Sequence, residues 1–272
     1  CRMRENTTLT PQTFAVIGAG PVGCIVAAFL AKNGYDVTLC DILEELLAPA
    51  LDPGITIEGA ENLVQPVTRV CQAVDEIADN PPDVIFIAVK ANALPLIVSA
   101  IEGFFQEGMS VVSWQNGIDT ELEISRTLGQ KASMRAVVNY GCGLKAPAYV
   151  NMPFHHPPHF IQELDPESKE TANAIADALT QSGLKTAHTD QINSMVWRKA
   201  VMNASMNPVC AVTGLTMSQA MGDPIIFNIV DNLVKECIKV ARANEINLGW
   251  DYYPHAIAYM HNAGNHKPSM LM

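Results

Sequence analysis

The sequence has no uninterrupted apolar stretch long enough to cross a bilayer, which excludes a helical membrane-spanning protein. Positive charge is scarce. Seventeen Lys and Arg stand against 28 Asp and Glu, a formal net charge of -11, which argues against a nucleic-acid-binding surface. A local basic pocket for a small anion stays open. No C-x-x-C pair occurs among the seven cysteines at 1, 24, 40, 71, 142, 210 and 237, several of which lie in apolar segments. They read as buried free thiols of a reducing cytoplasm, not as a disulfide framework. The opening CRMRENTTLTPQ lacks the apolar core of a signal peptide and reads as a disordered leader without an export address. His155, His156 and His159 have no acid or cysteine at a zinc-like spacing, and Pro157-Pro158 holds an extended backbone between them. They are expected to be loop histidines, and no metal is assigned.

What is present is the composition of a soluble globular protein, 49% hydrophobic and 17% charged. At 272 residues the chain exceeds the usual single domain. The expected division is 12–190 for a Rossmann-type α/β domain and 191–272 for an all-helical one. Two domains imply a cleft and a small-molecule partner.

The α/β expectation rests on residues 14 to 41, FAVIGAGPVGCIVAAFLAKNGYDVTLCD. Phe14 to Ile17 is a short apolar run met at once by glycine, as a buried parallel strand should be. Gly18, Gly20 and Gly23 fit G-x-G-x-x-G, with Ala19, Pro21 and Val22 between them. The first glycine permits the tight turn, the second lets a pyrophosphate approach the backbone, and the third lets helix pack on strand. The phosphates would sit at the helix N-terminus. Asn33-Gly34 closes the helix, and Tyr35 to Cys40 supplies a second strand ending at Asp41. A carboxylate there accepts from the adenosine ribose hydroxyls and repels a 2'-phosphate. NAD(H) is therefore favoured, with NADP(H) as the alternative should an arginine from elsewhere reach the ribose.

Further along, LEELLAPAL is a short helix at best, and the passage to residue 73 alternates like small strands and turns. VIFIAVKA is a buried strand whose end carries Lys90, and MSVVSWQNGID is another, ending in Gln115-Asn116-Gly117. Open α/β sheets bind ligands beyond the carboxyl ends of their strands, so Lys90 and Asn116 become candidates. MRAVVNYGCG reads as one more strand ending in glycines, YVNMPFHHPPHFIQEL as a loop-interrupted strand pair, and 166–182 as a helix opened by Pro166.

From Gln191 the pattern is helical, over 192–206, about 225–244 and about 252–262. In VWRKAVMNASMNPV, Lys199, Asn203 and Asn207 recur every four residues, so a cation and two amides line one helix face. Pro208 is expected to end that helix, leaving Asn207 in its last turn or just beyond.

Together, Gly18 to Gly23, Lys90 after VIFIAV, Gln115-Asn116-Gly117, Trp197-x-Lys199-x-x-x-Asn203-x-x-x-Asn207-Pro208 and the late HKPSML resemble the ketopantoate reductase family (2-dehydropantoate 2-reductases) over almost the whole chain. The resemblance implies a nicotinamide and a 2-keto acid meeting between a Rossmann domain and a helical one. It implies that Lys199 is the general acid, that Asn203, Asn207 and Ser269 hold substrate, and that Asn116 touches both cofactor and substrate. It also implies that Lys90 stands at the mouth of the cofactor site. The chemistry agrees, because hydride delivered to a keto carbon leaves an alkoxide that a lysine ammonium can stabilise and protonate. Amides suit the rest of a hydroxy keto acid without burying another charge.

The chain departs from the family in two places. Asp41 stands where members commonly carry an arginine suited to NADP. The family also continues beyond its SML motif with a glutamate near the cofactor, so the helical domain is expected to be incomplete at its C-terminus. The sequence thus predicts a cytoplasmic NAD(P)H-dependent reductase of a small 2-keto acid, most simply 2-dehydropantoate going to (R)-pantoate in pantothenate biosynthesis. A related oxidoreductase on another keto or hydroxy acid, or a non-catalytic NAD(H)-binding regulator, are the alternatives. An acidic surface permits a homodimer without requiring one.

Overall fold

A computed structural model describes residues 10–264, 268 and 270. The chain divides into two compact units, Cys1–Ile192 and Asn193–Met272. In the first, the order is β1 (Thr13–Ile17), α1 (Pro21–Lys32), β2 (Asp36–Cys40), α2 (Glu44–Pro49), β3 (Ile55–Gly59), β4 (Leu63–Gln65), β5 (Arg69–Cys71), β6 (Val84–Ile87) and α3 (Leu94–Glu102). There follow β7 (Ser110–Ser113), α4 (Thr120–Leu128), β8 (Ser133–Val137), β9 (Tyr140–Ala146), β10 (Tyr149–His155), β11 (His159–Glu163), α5 (Lys169–Gln181) and β12 (Thr186–His188).

Eight strands form one sheet in the order β12-β11-β8-β7-β6-β1-β2-β5. From β5 to β8 all are parallel, whereas β11 runs against β8 and carries β12 parallel to itself. Strands covered on both faces are largely apolar, and β6, β7 and β8 are buried along their full length, with Ser110, Ser113, Ser133 and Arg135 as buried polar exceptions. Phe86 and Trp114 meet edge to face with centroids 5.2 Å apart, a contact contributing about 0.5–1.5 kcal/mol beyond area burial. The chain passes from β1 through α1 to β2 on one side, and later places β6 on the other side of β1. The sheet therefore reverses direction at β1, and ligands of such sheets lie outside the strand ends at that point.

A second sheet, β4-β3-β10-β9, packs over α1. It corrects two expectations. MRAVVNYGCG is not one strand, because β8 ends at Val137 and β9 begins at Tyr140 in the other sheet. Its glycine is there for close approach, since a Cβ on Gly141 would lie 2.4 Å from the Phe154 ring. Nor do β10 and β11 pair with each other; they belong to different sheets. His155 and His159 are consequently strand residues rather than loop residues.

The second unit contains α6 (Ile192–Thr213, beginning one residue before the division), α7 (Met217–Gly222), α8 (Pro224–Ala243) and α9 (Tyr252–Asn262). Its core gathers Val201, Met206, Cys210, Met217, Val230 and Val234. Pro208 does not end α6, which continues to Thr213. A proline in mid-helix costs one backbone bond and some crowding, about 3 kcal/mol, but Met206 and Cys210 on either side of it are fully buried. Packing on the core outweighs the local penalty. Among the described residues, no helix is long and apolar enough to cross a membrane.

Candidate functional site

The turn between β1 and α1 is built from backbone. Gly18 has φ +109, and a Cβ there would lie 3.0 Å from the backbone of Ala88 and Val89, so the loops after β1 and β6 touch at the switch point. A Cβ on Gly23 would meet the Gly18 carbonyl oxygen at 1.9 Å. Over Gly20, by contrast, a Cβ would meet nothing within 4 Å. That open space, at the start of a twelve-residue helix with Pro21 in its first turn and no side-chain cap, suits a pyrophosphate. Asp41, at the end of β2, accepts from the Ala19 N–H at 2.7 Å and the Leu43 N–H at 3.1 Å. The acid thus fixes the glycine turn, and each carboxylate oxygen retains a lone pair for a ribose hydroxyl. Cys24 beneath the turn donates to the Ala19 carbonyl at 3.2 Å, and burial, reinforced by Asp41, pushes its thiol up to about 12.

Lys90 is exposed and opens a short helical turn after β6. Asn116 is exposed after β7, in a turn where Gly117 has φ +136. The Gln115 amide is buried and donates to the Val89 carbonyl at 2.5 Å, tying the two turns together. The structure therefore brings Gly18 to Gly23, Asp41, Lys90 and Asn116 to the carboxyl edge of four parallel strands.

Beneath Asn116 lies a group that no sequence motif announces. Arg135, on β8 and 2% exposed, donates to the Gly117 carbonyl at 2.7 Å, to Ser113 Oγ at 2.8 Å and to Thr120 Oγ1. Its Nε stands 3.7 Å from Glu121 Oε2, and both atoms lack a hydrogen-bond partner. Burial raises the Glu121 pKa and lowers that of Arg135. The available signal was one charged residue inside an apolar strand, in MRAVV.

In the second unit, Lys199, Asn203 and Asn207 lie on one continuous helix, each partly exposed, while Val201, Met206 and Cys210 on the same helix are buried. Tyr252 on α9 donates to the Arg198 carbonyl at 2.5 Å, and the Arg198 guanidinium lies 5.3 Å from its ring centroid. These contacts hold α6 next to Lys199. α7 begins with a capping box, Thr216 accepting from the Gln219 N–H at 3.3 Å and Gln219 from the Thr216 N–H at 2.9 Å. The T-x-x-Q spelling could have revealed that helix. Ser269 lies outside the described residues, as do the first nine.

His155 and His159 stack with centroids 5.2 Å apart, their Nε2 atoms 3.2 Å from each other, while His155 Nδ1 meets Glu61 at 3.1 Å. Among the described residues, the group that brings three metal-type ligand atoms within 4.8 Å is Glu163, His188 and Asp190. His188 already bonds Glu163 at 2.7 Å, and Asp190 bonds Lys169 at 3.1 Å. Cys40 and Cys71 face each other across β2 and β5 as free thiols; the hydrogen bond to Cys71, then burial, raise the Cys40 pKa, and the bond from Cys40 lowers that of Cys71.

A parallel sheet with a glycine turn at its switch point and an acid ending its second strand defines a dinucleotide-binding α/β protein, here joined to a helical unit. The chain belongs to the ketopantoate reductase family of oxidoreductases: the family model described as ketopantoate reductase PanE/ApbA matches residues 14–160, and that of its C-terminal part matches 191–272. The 2-dehydropantoate 2-reductase of Streptococcus pyogenes serotype M1 is 24% identical over 258 residues, 94% of this chain and 82% of that protein. The enzyme of the same name from Archaeoglobus fulgidus is 26% identical over 83% of this chain and 72% of its own. Among solved structures, 2-dehydropantoate 2-reductase from Geobacter metallireducens superposes with a TM-score of 0.84 at 22% identity, covering 95% of this chain and 85% of that one. D-mandelate dehydrogenase in complex with NADH gives 0.80 at 25% identity, over 95% and 83%.

Proposed function

We propose that the chain reduces a small 2-keto acid with hydride from a nicotinamide cofactor, most simply 2-dehydropantoate to (R)-pantoate. The observation that carries this reading is the glycine turn, open over Gly20 and held by Asp41, at the same strand edge as Lys90 and Asn116. When bound, the cofactor supplies the hydride. Gly18, Ala19, Gly20, Pro21, Val22 and Gly23 cradle its phosphates, Asp41 takes the ribose, Lys90 guards the entrance, and Asn116 orients both nicotinamide and keto acid. Lys199 stabilises the alkoxide and gives it a proton, while Asn203, Asn207 and Ser269 hold the remainder of the substrate.

NAD(H) is the favoured cofactor. Asp41 repels a 2'-phosphate, its neighbours Ile42 and Leu43 are exposed and uncharged, and Arg69 on the adjacent strand is held by Asp36 at 2.8 Å. A second reading, another 2-keto acid in place of ketopantoate, draws on the likeness to a mandelate dehydrogenase.

Initial rates with ketopantoate and with benzoylformate, each with NADH and with NADPH, test both readings. Turnover of ketopantoate that prefers NADH and falls at least about 10²-fold in Lys199→Ala supports the first. Turnover of benzoylformate alone supports the second, and a preference for NADPH rejects the cofactor assignment. Cofactor binding with no turnover, unaffected by Lys199→Ala, would indicate a non-catalytic regulator instead.

A further inference from the structure

The turn that presents Asn116 is clamped from two sides. Gln115 reaches the Val89 carbonyl on one flank, and Arg135 takes the Gly117 carbonyl on the other. Between these anchors Asn116 itself is exposed. Arg135 makes a poor stabilising device: it is buried, its ion pair with Glu121 is stretched to 3.7 Å, and Nε and Oε2 are left without hydrogen bonds. Buried charges set at such distances repay little of their desolvation cost, and replacing both partners together by apolar residues of similar volume often does as well. What an apolar residue cannot do is hold a main-chain carbonyl and two hydroxyls in fixed directions. A planar guanidinium can, because its donors are set in a rigid fork. Ser113 Oγ and Thr120 Oγ1, 2.6 Å apart, join the fork to the strand before the turn and the helix after it.

We propose that Arg135 is a positioning residue, fixing the Gln115-Asn116-Gly117 turn through the Gly117 carbonyl so that Asn116 meets cofactor and substrate in one orientation. Glu121 is its counter-charge. The inference rests on the role assigned to Asn116 above, but the order of the turn can be measured without that role.

The test uses the whole chain and three variants, Arg135→Lys, Asn116→Ala and the double change, with backbone NMR order parameters and steady-state rates on ketopantoate and NADH. Lysine keeps the charge and loses the fork. Backbone order parameters of residues 115–119, about 0.85 where the clamp holds, should fall towards about 0.6 in Arg135→Lys while those of β6 and β8 are unchanged. kcat should fall about 10- to 100-fold with the KM for NADH changed by less, as expected of a misplaced reacting geometry. In the Asn116→Ala background the same change should cost less than about threefold, since residues acting through one another are not additive. Unchanged order parameters in the turn, or a full additive loss in the double variant, would overturn the proposal. If Arg135→Lys fails to fold, Thr120→Val removes one acceptor and leaves the charge pair, and the same order parameters decide. A wild-type protein without turnover counts against the proposed reaction, whereas the order parameters of residues 115–119 still decide for or against the clamp.

Discussion

Two turns stand at the same edge of the sheet, and they are held by different means. The turn after β1 is fixed by what its residues lack: no side chain fits between Gly23 and the Gly18 carbonyl, and one carboxylate closes the loop. The turn after β7 is fixed by what distant residues supply, an arginine from β8, hydroxyls from β7 and α4, and an amide laid across to the loop after β6. A backbone constraint has to be written locally, as glycines at fixed spacing. A side-chain constraint can come from any strand that passes underneath.

The largest effect that separates the two is expected from Arg135→Met, which strands Glu121 as an unpaired buried acid. Removing one partner of a buried pair costs about 3–5 kcal/mol, and at about 2–4 °C per kcal/mol in a domain of this size the melting temperature should drop by roughly 10 °C. Calorimetry checks this. In the glycine turn, Gly23→Ala should cost about 3 kcal/mol, because the clash is with backbone that cannot rotate away. Gly20→Ala should leave the melting temperature within the effect of about 0.5 kcal/mol, since nothing lies near its Cβ, yet weaken NADH binding measured by fluorescence. If the two alanines behave alike, the distinction between packing glycine and ligand-facing glycine fails.

Glu121→Gln should be milder, since Arg135 keeps its bonds to Ser113, Thr120 and Gly117, and should depend on pH. Burial raises the Glu121 pKa above its ordinary value of 4.5, so the folded protein holds that proton more tightly than the unfolded chain. Stability therefore falls as pH rises from near 4.5 through the raised native value. Glutamine has no proton to lose, so denaturant midpoints of the variant should gain on wild type across that window and level off above it. The smallest effect belongs to the helical unit: Thr216→Ala removes a cap worth about 1 kcal/mol and should leave NADH affinity unchanged.

This contrast also explains what the sequence could reveal. Residues 14 to 41 were readable because strand period, glycine spacing and the closing acid all concern neighbours in the chain. The Lys199, Asn203 and Asn207 stripe was readable because it follows the helix period, although Pro208 misled about the helix end where core packing overrode a local penalty. β9 and β10 are not legible as a second sheet because membership of it depends on partners almost a hundred residues away, such as β3. Arg135 was invisible for the same reason, since nothing in MRAVV says that Gly117 lies above it.

The most direct test of the account follows the hydride itself. NADH carrying deuterium at the transferable C4 position, incubated with ketopantoate and the protein, should give pantoate labelled at C2, read by mass spectrometry and NMR. Label at C2 in the wild type, and none above background in Lys199→Ala over the same time, is the predicted result. Pantoate formed without label, or label transfer that survives undiminished in Lys199→Ala, would contradict it.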